Sequence, residues 1–189
     1  MEGNPVIDGK RVLAIIPARG GSKRLLRKNM RKLAGKPLIQ WAWDEARKSN
    51  YVDSIQISSE DSEIISYAQA NGMDGFQRPV ELATDEASLS GVLLHALKLF
   101  SDYDLAVLLQ PSSPLRTVED IDCGINLGFS ISVGPQGKPN GAVYCVEVPF
   151  FLEYPYFGGQ VFYMPKVRSV DINTEEDLRE AECYLTLTK

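Results

Sequence analysis

Five basic residues, Arg19, Lys23, Arg24, Arg27 and Lys28, crowd around the pair Gly20-Gly21, directly after the apolar run Val12-Leu13-Ala14-Ile15-Ile16-Pro17. These residue types suit a polyphosphate. Glycines let the chain turn tightly and bring backbone amides close to an anion, and the surrounding side chains supply countercharge. The whole chain carries a formal net charge of -5, so the cluster is a local exception on an acidic protein. That argues against a broad basic nucleic-acid surface and for a small anionic ligand. Neither GxxxxGK[ST] nor GxGxxG fits the segment, which excludes the two best-known phosphate loops. A solvated basic turn is the competing reading of the same residues; the coupling of the glycines to an apolar strand favours a site.

Three further polar groups stand where chemistry is expected. Ser58-Ser59-Glu60-Asp61 closes the strand-like run 54–58, Gln110-Pro111-Ser112-Ser113-Pro114-Leu115-Arg116 follows the run 105–109, and Val170-Asp171-Ile172-Asn173 precedes the last helical segment. Each also reads as an ordinary turn, but in open parallel sheets ligands collect beyond the carboxyl ends of the strands. Asp171 suits Mg²⁺, which prefers oxygen donors and commonly takes one or two protein carboxylates with phosphates and water. Thiol and triad chemistry find less support. The three cysteines, Cys123, Cys145 and Cys183, are widely spaced and lack a CxxC pair, so they form no disulfide framework or zinc site and are expected as small buried residues. The one histidine, His95, lies within the apolar periodicity of Val92-Leu93-Leu94-His95-Ala96-Leu97 and reads as a helix residue rather than a base.

The elements that must position these groups alternate. Strand-like runs at 12–16, 54–58 and 105–109 are separated by helical periodicity, the pattern of a parallel sheet covered by helices. Helices are expected over 38–49, with Ile39, Ala42, Trp43 and Ala46 inward and both Trp41 and Trp43 packing; from 62 to a stop at Asn71-Gly72; over 88–100; from the capping start at Thr117 to about 128; and after Thr174, where Glu175, Glu176 and Asp177 favour the N-terminal dipole. At 189 residues and 44% hydrophobic content the chain is expected to form a single domain over 1–189. Within it, 130–168 turns to Gly, Pro and aromatic residues, with strands at 141–146 and 160–164, and is expected as a small lobe. Residues 1–5 are polar and unlike a secretory signal, and no apolar stretch approaches the ~20 residues of a membrane span. The expectation is a cytoplasmic protein with no membrane or nucleic-acid partner.

Five segments in this order, IIPARGGSKRLLRKN at 15–29, RPVELATDEAS at 78–88, LLQPSSPLR at 108–116, NGAVY at 140–144 and SVDINTEEDLREAE at 169–182, resemble the acylneuraminate cytidylyltransferases (CMP-sialic acid synthetases), and the similarity covers most of the chain. The resemblance implies an α/β, three-layer Rossmann-like nucleotidyltransferase fold with a mostly parallel sheet, a reduced small lobe at 130–168 and a possible homodimer. It implies transfer of CMP from CTP to the anomeric hydroxyl of a 2-keto sugar acid, with Mg²⁺ as cofactor and pyrophosphate released. By matching positions, Arg19 and Lys28 contact the triphosphate as catalytic residues, and Gly20, Gly21, Ser22 and Asn29 complete that loop. Arg78 and the backbone near Ala87 bind cytidine, Gln110 faces the sugar acid, and Asp171 is both catalytic and, with Asn173, metal-binding. Lys23 and Arg24 are expected as rim charges. The chain departs from the family pattern in having Leu26 for a usual proline, Asn173 for a usual aspartate, and a much shortened segment 131–139 with Lys138 as its one basic residue; Lys166 or Arg168 are candidates to meet the sugar carboxylate instead. A CTP-binding homologue with lost sugar turnover, and a Kdo-type cytidylyltransferase, are the alternatives.

Overall fold

The computed structural model describes Ile7 and residues 9–187; the polar opening segment 1–5 lies outside the described residues. In chain order the strands are β1 (Val12–Pro17), β2 (Lys32–Leu33), β3 (Lys36–Pro37), β4 (Ser54–Ser59), β5 (Gly75–Gln77), β6 (Leu105–Leu108), β7 (Ser130–Val133), β8 (Pro139–Glu147) and β9 (Gln160–Tyr163). The helices are α1 (Leu38–Ala46), α2 (Ser62–Ala70), α3 (Leu89–Leu99), α4 (Val118–Leu127), α5 (Val148–Glu153) and α6 (Glu175–Leu187).

β1 explains the architecture. Val12, Ala14 and Ile16 point into one apolar cluster, with Ile39, Ala42, Trp43 and Ala46 of α1, Ile64 and Ala68 of α2, and Ile121 and Ile125 of α4. Leu13 and Ile15 point into another, with Leu93, Ala96 and Leu97 of α3 and Phe151 of α5. A strand buried on both faces must be apolar throughout rather than alternating, and the run VLAIIP is. Helices therefore cover both faces and the domain has three layers. Each fully buried Leu or Ile contributes about 1.5–3 kcal/mol, enough in sum to hold each helix to the sheet.

The seven-stranded sheet runs β5-β4-β1-β6-β8-β7-β9. Pairings β4–β5, β1–β4, β1–β6 and β7–β9 are parallel, while β8 runs antiparallel to both β6 and β7. One reversed strand in an otherwise parallel sheet agrees with the expected mostly parallel α/β fold. Residues 130–168, expected as a small lobe, place β7, β8 and β9 in this same sheet. β2 and β3 form a separate small hairpin.

The helix ends follow their caps. Asp61 accepts from the Glu63 amide at 2.8 Å, Ser88 accepts from the Gly91 amide at 3.0 Å, and the Asp120 carboxylate accepts from the Thr117 amide at 3.0 Å. Before α6, Thr174 and Asp177 bond reciprocally, amide to side chain, at 2.8 and 3.2 Å. Each arrangement satisfies amides that the first turn leaves unpaired. Trp43 is buried in the core and Trp41 donates to the Leu33 carbonyl at 3.1 Å, so both tryptophans pack. His95 sits on α3, 5.8 Å from the Phe76 ring, where burial lowers its pKa. The cysteine expectation needs correction. Cys145 is buried, and that burial pushes its thiol up to about 12, but Cys123 and Cys183 are exposed. Cys123 lies between the inward Ile121 and Ile125, and two residues along a helix is about half a turn, which faces it outward. Among the described residues no helix is long and apolar enough to cross a membrane.

Candidate active site

β1, β4 and β6 end side by side, and their following loops meet above the sheet. A cavity of about 210 Å³ there is lined by Arg19, Lys28, Asn29, Arg78, Ala87 and Gln110, with Leu82, Leu89 and Val92 as its apolar wall. Residues from three separate sequence motifs thus share one space. A pocket with an apolar wall and few convergent polar groups is the usual form of a small-ligand site.

The loop after β1 is held by side chains. Asn29, buried, donates from Nδ2 to the Arg19 carbonyl at 2.8 Å, drawing the two ends of the loop together. Gly20 donates its amide to Glu60 Oε1 at 2.7 Å, and a Cβ at this position would run into the Asp61 side chain. Glycine is needed there for close approach to the β4–α2 turn. The left-handed residue of the segment is instead Arg27, at φ 53°. Gly21 and Ser22 do not line this cavity; they line an adjoining depression with Lys23 and Asp85.

Glu60 also takes Arg78: its Oε2 accepts from Arg78 Nη2 at 3.0 Å, while the arginine is 4% exposed. Burial pushes the Arg78 guanidinium down and Glu60 opposes that push. Sequence reading places Glu60 in a polar turn without a role; its position at the carboxyl end of β4 is the available signal. Asp85 is likewise unassigned from sequence, though it bonds both Arg19 and Lys23.

Asp171 lies outside the first cavity. It lines a second, of about 550 Å³, together with Lys138, Asn140, Lys166, Asp177 and Glu180. A polar relay joins the two spaces: Lys28 Nζ donates to Asn173 Oδ1 at 3.1 Å, and Asn173 Nδ2 donates to Asp171 Oδ2 at 2.7 Å. Arg24 Nη2 also donates to Asn173 Oδ1, at 2.8 Å, so this expected rim charge is engaged. Lys23 remains a rim residue, its side chain 85% exposed. Burial pushes the Lys28 ammonium below its usual range; Arg24 and Arg19 add to this, and Asp171 and Asp177 resist it.

The loop after β6 connects these parts. Gln110 packs against Gly141, whose φ is +73° and whose added Cβ would fall 3.0 Å from the glutamine amide. Arg116, buried, donates to the Gln110 carbonyl, and burial pushes its guanidinium down to about 9. The Ser112 carbonyl accepts from the Ile172 amide at 2.7 Å, fixing the Asp171 segment to the same loop. Of the two alternative carboxylate partners, Lys166 faces the second cavity, whereas Arg168 turns away to Asp120 at 3.3 Å.

The donor set fits Mg²⁺ in one form. Asp171 presents an exposed carboxylate, but Asn173 Oδ1 already faces Arg24 and Lys28. A cation held by one protein carboxylate and completed by phosphates and water suits that arrangement better than a cage of protein ligands. Among the described residues there is no group of three or more His, Cys, Asp or Glu placed to hold a metal.

A family model described as cytidylyltransferase matches residues 13–126. The chain belongs to the cytidylyltransferase family. Its relatives within that family include an N-acylneuraminate cytidylyltransferase from Escherichia coli, 28% identical over 214 aligned positions covering 90% of this chain and 51% of the relative. A CMP-N,N'-diacetyllegionaminic acid synthase from Legionella pneumophila is 40% identical over 116 positions, covering 59% of this chain and 50% of the relative. The chain spans about half the length of these curated relatives. In fold it is similar to a CMP:2-keto-3-deoxy-manno-octonic acid synthetase solved with CTP, with a TM-score of 0.79 at 15% identity, covering 95% of this chain and 100% of that one. The cytidylyltransferase chain therefore has the nucleotidyltransferase fold, as the five motifs implied.

Proposed function

We propose that the chain transfers CMP from CTP to the anomeric hydroxyl of a 2-keto sugar acid of the sialic or related nonulosonic class, releasing pyrophosphate. The observation that carries this reading is the convergence of Arg19, Lys28, Asn29, Arg78, Ala87 and Gln110 on one cavity, joined through Asn173 to Asp171 on a second. Arg78, fixed by Glu60, and the backbone near Ala87 seat the cytidine. Arg19 and Lys28 meet the charge that develops on the departing pyrophosphate, and their placement before the reaction avoids reorganisation during it. Gln110 orients the acceptor, whose carboxylate lies toward Lys138 and Lys166. The acceptor hydroxyl oxygen bonds to the α-phosphorus, the bond from that phosphorus to pyrophosphate breaks, and the hydroxyl proton passes to Asp171. Mg²⁺, held by Asp171 and the nucleotide phosphates, would supply further charge neutralisation.

Pyrophosphate release from CTP with a panel of sialic, legionaminic, pseudaminic and Kdo acids tests the activity. Turnover with a nonulosonic acid is the expected result; turnover with Kdo alone makes the chain a Kdo-type enzyme. CTP binding with no turnover on any acid supports the second reading, a CTP-binding homologue, which the single carboxylate at Asp171 and the short segment 131–139 favour.

Lys28 also gives the site an alkaline limit. Its ammonium loses its proton at lower pH than an ordinary lysine because burial lowers its pKa. CTP affinity is therefore full below that lowered pKa and weakens as pH rises through it. Lys28→Arg, whose guanidinium stays charged, moves the loss to higher pH. Calorimetric affinity followed through the alkaline range checks this, and parallel profiles for the two proteins would remove Lys28 from the phosphate contacts.

A further inference from the structure

The turn between residues 80–83 and α3 carries Asp85, whose carboxylate is divided between two cations of the loop after β1. Oδ1 accepts from Arg19 Nη1 at 2.8 Å and Oδ2 from Lys23 Nζ at 2.5 Å. Arg19 Nη1 also reaches the carbonyls of Thr84 at 3.3 Å and Ala83 at 3.5 Å. The guanidinium proposed to meet the triphosphate is thus already engaged by residues 83–85, and Thr84, Asp85 and Ala87 themselves line the cavity. Hydrogen bonds from Lys23 and then Arg19 hold the Asp85 carboxyl below its usual range, so it is anionic at neutral pH.

A carboxylate and a phosphate held on Arg19 at contact distance repel each other, so each weakens the other's hold on the guanidinium. The two acids beside the cavity differ in how readily they give way. Glu60 is 14% exposed at its side chain, pairs with the buried Arg78 and also takes the Gly20 amide. Losing that set would strand a buried guanidinium, which is strongly unfavourable. Asp85 is 37% exposed, with partners 36% and 85% exposed. Exposed pairs of this kind are weak, and an acid released from them returns to water at little cost.

We propose that Asp85 is an internal anion that exchanges with the polyphosphate: it holds Arg19 and Lys23 in the free protein, yields them to the phosphates of the incoming nucleotide, and reclaims them as pyrophosphate leaves. The proposal rests on the nucleotidyl-transfer reading of this cavity. It makes Asp85 a competitor for nucleotide and an aid to product release. Ligands without the outer phosphates do not engage the exchange, so cytidine binds equally well with or without Asp85.

Calorimetric titration of CTP, pyrophosphate and cytidine into the wild-type protein, Asp85→Asn and Asp85→Ala tests the exchange. Asn keeps the shape of the side chain, Ala removes any hydrogen bond that Asn retains, and thermal melting reports whether each variant is folded. Both variants are expected to bind CTP and pyrophosphate about three- to tenfold more tightly, with cytidine unchanged. Unchanged or weaker CTP and pyrophosphate binding in the folded variants would overturn the proposal, as would equal tightening of cytidine. A wild-type protein that binds neither CTP nor pyrophosphate defeats the nucleotide reading itself, whatever Asp85 does.

Discussion

Lys28→Ala lowers CTP turnover by about 10²-fold or more, the range seen when one preorganised charge facing a transition state is removed. The expected size comes from position rather than from charge alone. Lys28 is half-buried at the junction of the two cavities, hydrogen-bonded to Asn173 and within the field of Asp171. Its charge is less screened there than that of Lys23, whose side chain is 85% exposed, and charges act more strongly where water is excluded. Arg19→Ala produces a loss of the same order. Steady-state kinetics with saturating acceptor measures both, and the loss falls mainly on kcat if the contact strengthens as pyrophosphate departs. Near-normal rates in both variants would show that the leaving group is stabilised elsewhere.

If Asp171 holds Mg²⁺ as proposed, Asp171→Asn removes most of the Mg²⁺-dependent rate, about 10²-fold or more, because the cation then loses its protein carboxylate. The substitution is close to isosteric. The new amide retains an oxygen to accept from Asn173 Nδ2, which now bonds Asp171 Oδ2 at 2.7 Å, so the relay to Lys28 is kept while the charge is lost. Cytidine binding, which the proposed function assigns to Arg78 and the Ala87 backbone in the first cavity, is expected to be unaffected. A magnesium titration of the rate gives the readout: the variant requires higher Mg²⁺ or fails to respond, and an unchanged titration would place the cation on other ligands.

The sequence reveals the parallel half of the fold because β1 and β6 are apolar runs, β4 alternates Ile55 and Ile57 with polar residues, and the helices between them have inward stripes and caps that are local. The reversal after β7 is local too, but its consequence is not. Pro135 and Gly137 mark the turn, where Gly134 donates to the Lys138 carbonyl at 2.9 Å; that β8 then inserts between β6 and β7 depends on pairing partners far away in the chain. The outward position of Cys123 is legible from helical period alone, since Ile121 and Ile125 fix the inward face.

The site divides in the same way. Motif positions bring Arg19, Lys28, Asn29, Arg78, Ala87 and Gln110 to one cavity because each follows a strand or borders a turn above the sheet. The acids that organise those cations are not legible. Arg19 and Asp85 are 66 residues apart and Lys28 and Asn173 are 145 apart; in sequence Asp85 looks like an ordinary turn residue, and Asn173 reads as a metal ligand rather than as the partner of Lys28. The same distance effect separates Lys166 from Arg168: they are two residues apart, yet one faces the second cavity and the other pairs with Asp120.

Calorimetric titration of CTP with Mg²⁺ into the purified chain, repeated on Arg19→Ala and Lys28→Ala, tests most directly whether the first cavity is the nucleotide site. Saturable binding at one site per chain, weakened in both variants, is the predicted result. Absence of CTP binding by the wild-type protein, or binding that both variants leave unchanged, would contradict it.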